Sequence, residues 1–139
     1  MIDKKLVQNK LVDLEKYYQE LGNILVADNL DIIKDHLKLR SVERLFQLIV
    51  DTTIDINTHI IAESNIGIPD DYQSTFITLA ENDILPMEFA MKIAPAVGLR
   101  NKVVHKYGKV GIKSMVDDIR NEIKDFLKYA ELINDFLRK

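Results

Sequence analysis

Residues 112–137 read IKSMVDDIRNEIKDFLKYAELINDFL, and Ile112, Val116, Ile119, Ile123, Phe126, Ala130, Ile133 and Leu137 step by four and three from end to end. Steps of that size lay one apolar stripe along an α-helix, whereas a half-buried strand alternates in twos. The opposite face carries charge, so one side of this segment belongs in a core. Leu6, Leu11, Leu14, Tyr18 and Leu21 repeat the design before a break at Gly22-Asn23. A second long helix is read from about residue 41 to residue 64, with Ser41, followed by Glu43 and Arg44, as its start.

Between these helices Asn65-Ile66-Gly67-Ile68-Pro69-Asp70-Asp71 is rich in turn formers, and Asp70 or Asp71 is placed to cap a shorter helix through Ala80. Glu81-Asn82-Asp83 breaks the chain again, and Pro86 suits a helical first turn. Pro95 removes a backbone donor inside the apolar run 89–97 and Gly98 weakens the helix further, so a bend is expected just before Arg100. With 3 prolines, 5 glycines and no internal repeat or linker, the chain reads as all-α. The expected architecture is an antiparallel bundle of four main helices plus one or two short helices, a single domain over residues 1–139. A chain of 139 residues can bury about two-thirds of its unfolded surface, so the fold needs no metal or disulfide staple.

The sequence has no cysteine, which removes thiol nucleophiles, thiolate zinc sites and disulfide scaffolds together. No apolar run approaches about 20 residues and Met1-Ile2-Asp3-Lys4-Lys5 lacks a signal-peptide stretch, so a soluble, cytoplasmic protein with no membrane role is expected. A net charge of −3 argues against a broad nucleic-acid coat, but the charge is segregated. Residues 89–116 contain no Asp or Glu, while Lys92, Arg100, Lys102, Lys106, Lys109 and Lys113 give +6, which leaves −9 for the rest. That distribution predicts an anionic ligand near residues 89–116; the plainer reading is a set of lysines coating a solvated face.

Inside this segment lies Gly98-Leu99-Arg100-Asn101-Lys102-Val103-Val104-His105-Lys106-Tyr107-Gly108. Arg keeps its charge at any accessible pH and can clamp phosphate oxygens, and His titrates near neutrality and can move the proton of a 2′-hydroxyl. On an undistorted helix Arg100 and Tyr107 share a face, Asn101 and His105 share a neighbouring one, and Arg100 stands well away from His105. Either the Pro95-Gly98 bend shifts Arg100, or residues from two subunits meet. Two His105 side chains across a two-fold axis would also provide both a base for the 2′-hydroxyl and an acid for the leaving 5′-oxygen. Arg100 would then stabilise the pentacoordinate phosphate, Asn101 would orient the imidazole or bond substrate, and Lys102 and Lys106 would hold flanking phosphates.

The pattern Arg100, His105 and Tyr107 resembles the HepT family of HEPN-domain proteins, small helical ribonuclease toxins usually encoded beside a nucleotidyltransferase antitoxin. The likeness extends to Ser41-Val42-Glu43-Arg44-Leu45-Phe46-Gln47-Leu48-Ile49-Val50, to Asp55-Ile56-Asn57-Thr58-His59-Ile60-Ile61 and to residues 72–79, covering roughly residues 40–127. It implies an HEPN-like fold and a metal-independent endoribonuclease of a toxin-antitoxin system, acting as a homodimer on RNA without a cofactor. Arg100 and His105 correspond to the family's catalytic pair. Tyr107 corresponds to the acceptor for AMP groups that a partner nucleotidyltransferase of the MNT type adds to silence the toxin. An AMP there would set a fixed phosphate and a bulky adenosine beside the two catalytic cations. Without the resemblance, Tyr107 reads equally as an amphipathic side chain closing a helix before Gly108.

Asp55 and His59, four residues apart, could share a hydrogen bond and line the same cleft, with Asp55 in a supporting role; the plainer reading is a satisfied polar patch between Ile56 and Ile60. His36, near Asp31 and Asp35 on an expected short helix, is given no function. The spacing of His59, Asp55 and Glu63 would allow a metal, yet no second His-rich element joins them and the chemistry needs none. The competing class of function is a non-enzymatic helical module that binds RNA or a nucleotide and docks a nucleotidyltransferase, since phosphate affinity by itself requires no proton transfer. An inert bundle would leave the acid-free stretch without a purpose.

Overall fold

A computed structural model describes residues 1–105 and 111–139 and, among them, contains eight helices and no strand. The long α1 (Lys4–Ile24) and α3 (His36–Ser64) flank the short α2 (Asn29–Lys34). They are followed by α4 (Ser74–Glu81), α5 (Met87–Ile93), α6 (Ala96–His105), α7 (Ile112–Glu122) and α8 (Asp125–Arg138).

Aspartates start the first three helices. Asp3 accepts from the Leu6 amide, Asp28 from that of Asp31, and Asp35 from those of Leu37 and Lys38 at 3.0 and 3.3 Å, so donors left open in a first turn are satisfied. The Asp35 cap corrects the expected start at Ser41: α3 begins at His36, and Ser41 lies exposed inside it. His36 therefore opens the longest helix and does not sit on a short one. Gly22-Asn23 does not end α1, which runs on to Ile24, and Val7 takes the buried place expected of Leu6.

Asn65, with φ of 54°, ends α3 in the left-handed region that Asn tolerates better than most residues, and Gly67 at φ 142° carries the turn that follows. Asp71 then accepts from both the amide and the hydroxyl of Ser74, at 2.7 and 2.6 Å, setting up α4 as expected. Those two bonds hold the Asp71 carboxyl below the usual carboxylate range. The break falls at Ala94-Pro95, between α5 and α6, where the proline was expected to act, whereas Gly98 leaves α6 uninterrupted. The C-terminal segment divides at Ile123-Lys124 into α7 and α8, yet Val116, Ile119, Ile123, Phe126, Ala130 and Ile133 all remain buried on one stripe.

α1 and α3 run antiparallel: Asp3 meets His59 near one end, and Lys10 meets Asp55 further along. The core between α3, α4 and α8 contains a fully buried polar chain. Tyr129 on α8 donates to Asn57 Oδ1 on α3 at 2.5 Å, Asn57 Nδ2 donates to Thr75 Oγ1 on α4 at 3.0 Å, and Thr75 donates to the Tyr72 carbonyl at 2.6 Å. The Tyr129 ring meets Phe76 edge-on with centroids 6.0 Å apart. Satisfied in this way, the chain ties three helices in one register, because any slip would strand a polar atom away from water. At the other end Arg120 on α7 donates to Asn29 Oδ1 and to the carbonyls of Leu25 and Ala27, clamping the α1–α2 connection. No helix described here is long and apolar enough to cross a membrane.

Candidate functional site

The site is built from α6 and the middle of α3. α6 is one continuous helix from Ala96 to His105, with Ala96, Val97 and Leu99 packed into the core, while Arg100 is partly covered and Asn101 and Lys102 are exposed. Arg100 donates from Nε to Asp51 Oδ1 on α3 at 2.7 Å and from Nη1 to Asn101 Oδ1 at 3.0 Å. Both charged side chains are partly covered, Arg100 to 24% exposure and Asp51 to 34%, so this pair is screened less than an open surface pair. Among the described residues the guanidinium Nη2 has no protein acceptor, and it remains available to an anion.

Asn101 accepts from Arg100, and the imidazole contact expected of it falls on a side chain outside the described residues. Lys102 is exposed on the same helix. His105 closes α6; its side chain, together with Lys106 and Tyr107, lies outside the described residues. α6 is unbroken from Ala96 to His105, so the Pro95 break lies ahead of the whole helix and not between Arg100 and His105.

Asp55 and His59 are not joined. Asp55 Oδ2 pairs with Lys10 Nζ on α1 at 3.5 Å, while His59 Nε2 accepts the Asp3 amide at 3.0 Å. Glu63 meets the Met1 amino group at 3.1 Å, so the trio whose spacing suggested a metal is divided among separate partners on α1 and the residues just before it. The stretch without acids in sequence is also not without them in space. Asp51 pairs with Arg100, and Lys92 lies 3.3 Å from the largely buried Asp125 of α8. A cleft of about 620 Å³ lined by Ile2, Asn82, Leu85, Leu132 and Phe136 includes neither Arg100 nor Asp51.

Asp51 is the residue that sequence reasoning missed. Its signal was present but weak: it follows the buried pair Ile49-Val50 and precedes Thr53-Ile54, at the edge of the apolar stripe, where a carboxylate can reach a neighbouring helix. Nothing local named the partner, 49 residues away.

A family model described as Ribonuclease HepT-like matches residues 7–133. The chain is 32% identical to a tRNA nuclease HepT of Aphanizomenon flos-aquae, over 98% of this chain and 92% of that one. It is 24% identical to an mRNA nuclease HepT of Shewanella oneidensis, over 92% of this chain and 96% of that one. Among solved structures, it is similar to a tri-AMPylated Shewanella oneidensis HEPN toxin in complex with MNT antitoxin, with a TM-score of 0.83 and 24% identity over 97% of this chain and 99% of that one. At that identity the last likeness is one of fold.

Proposed function

We propose that this chain, which belongs to the HepT-like ribonuclease family, is the toxin of a toxin-antitoxin pair: a cytoplasmic, single-domain endoribonuclease that cuts RNA as a homodimer without a metal. The observation that carries the reading is Arg100, held by Asp51 on the same unbroken helix as His105, with no acceptor on Nη2 among the described residues. Positions five apart on an ideal helix face about 140° away from each other, whereas a two-fold pair of α6 helices can set two His105 rings and two Arg100 guanidiniums around one phosphodiester.

In that site one His105 takes the 2′-hydroxyl proton as the 2′-oxygen attacks phosphorus. The other His105, protonated, gives its proton to the departing 5′-oxygen. The P–O5′ bond breaks, leaving a 2′,3′-cyclic phosphate on one product and a 5′-hydroxyl on the other. Arg100 faces the charge that grows on the equatorial oxygens, where a preorganised cation acts most strongly. Asn101 steadies the guanidinium, Lys102 and Lys106 hold flanking phosphates, and Asp55 supports from α3 through its pairing with Lys10.

The proposed antitoxin is a nucleotidyltransferase of the MNT type. The Tyr107 oxygen attacks the α-phosphorus of ATP, the phenolic proton is lost and pyrophosphate leaves, so AMP becomes bonded to Tyr107. The added phosphate then competes with RNA for the same cations. To test this, the chain is incubated with a candidate MNT-type nucleotidyltransferase and ATP and analysed by peptide mass mapping. AMP mass on Tyr107 accompanied by loss of cleavage supports the reading; modification elsewhere, or full cleavage after modification of Tyr107, contradicts it.

A further inference from the structure

We propose that Asp51 is a positioning residue for RNA cleavage, acting through Arg100; this rests on the nuclease reading above. Three observations carry it. The Asp51 carboxylate accepts from the Nε edge of the guanidinium at 2.7 Å, a short charge-assisted bond that anchors one edge of the arginine head. The stretch of α3 bearing Asp51 is rigid: Val50 and Thr53 beside it are fully buried, and Asn57 is locked by Tyr129 and Thr75. Asn101 fixes Nη1 as well, so among the described residues the donors left to face outward are on Nη2 and the second hydrogen of Nη1.

A long, many-rotamer side chain is thereby held in one presentation before substrate arrives, and misplacement of a reacting group by about 1 Å can cost on the order of 100-fold in rate. Asp51 also carries a negative charge next to a site meant for phosphate. Electrostatics alone therefore predicts that removing the charge improves RNA binding. Since its charge opposes phosphate binding, any benefit this carboxylate brings to cleavage is one of orientation.

The two effects have opposite signs, which makes the test decisive. Asp51→Asn, Asp51→Glu and wild type are compared in steady-state cleavage of a single-stranded RNA, with folding and dimer content followed by circular dichroism and sedimentation. The expected result for Asp51→Asn is a kcat lower by about 10- to 100-fold with KM unchanged or lower. Asp51→Glu, which keeps the charge one methylene further out, recovers part of kcat. In an Arg100→Lys background, where the Nε anchor is already absent, Asp51→Asn has no further effect on kcat. An unchanged or raised kcat in Asp51→Asn overturns the inference, as does an undiminished effect in the Arg100→Lys background. If Asp51→Asn does not fold, the Asp51→Glu kcat decides. Wild-type protein that leaves RNA intact overturns the nuclease reading itself, an outcome distinct from active wild type with indifferent Asp51 variants.

Discussion

Tyr129→Phe removes one oxygen from the centre of the bundle and leaves every apolar contact of the ring in place, including the edge-on meeting with Phe76. The lost hydroxyl is the donor to Asn57 Oδ1 at 2.5 Å, and both side chains are fully buried, so no water replaces it. An acceptor left bare in such a place costs about 1–3 kcal/mol. With about 2 kcal/mol lost, and about 4 °C per kcal/mol for a chain of this length, Tm should fall by roughly 8 °C at pH 7 with the denaturant m-value unchanged. The pH dependence provides a second check. Burial raises the Tyr129 phenol well above its ordinary value of 10.0, so the native state holds that proton more tightly than the unfolded chain does. The stability this phenol contributes is complete below pH 10.0 and is lost as pH rises beyond it; the Phe variant has no such loss. The deficit of Tyr129→Phe should therefore shrink above pH 10.0 when thermal melts are recorded from pH 7 to pH 11. A Tm within about 2 °C of wild type at pH 7, or a deficit constant across the range, would refute the claim that a satisfied polar chain fixes α8 on α3.

Arg120→Ala strips the donors from Asn29 and from the Leu25 and Ala27 carbonyls; a loss of about 2–3 kcal/mol and faster amide exchange confined to residues 25–32 are expected, and unaltered exchange there would contradict the clamp. Glu122 is pushed above its ordinary value of 4.5 by partial burial, and then by the charges of Asp125 and Asp118, so its ionised form weakens the native state. Glu122→Gln should raise Tm at pH 7, with the gain shrinking as pH falls through the raised native value and nearly gone at pH 4.5; a gain independent of pH would point to another cause.

Periodicity made the helices legible because burial on one face imposes it, and the apolar stripe of residues 112–137 reads through the break at Ile123-Lys124 without a flaw. The same continuity hid the break itself, since neither Pro nor Gly marks it. The start of α4 was legible to within one residue, since the Asp70-Asp71 pair contains the carboxylate that bonds Ser74, and the start of α3 was misread: Ser41 looked sufficient, but Asp35 reaches two amides and starts α3 five residues earlier. The motif Arg100, Asn101 and His105 stands out in the sequence because its members lie within six residues. Asp51 does not, because its role depends on α3 and α6 lying side by side, which only tertiary packing decides. The same holds for Lys10, whose partner Asp55 was assigned to His59 on helical spacing alone.

The account rests on His105 moving protons during RNA cleavage, and analysis of product ends tests that most directly. Wild type and His105→Ala are incubated with a defined single-stranded RNA in excess chelator, and the ends are identified by mass spectrometry. The expectation is 2′,3′-cyclic phosphate and 5′-hydroxyl ends from wild type, and intact RNA from a His105→Ala protein that remains helical and dimeric. Cleavage that persists in His105→Ala, 5′-phosphate ends, or RNA that wild type binds but does not cut would contradict it.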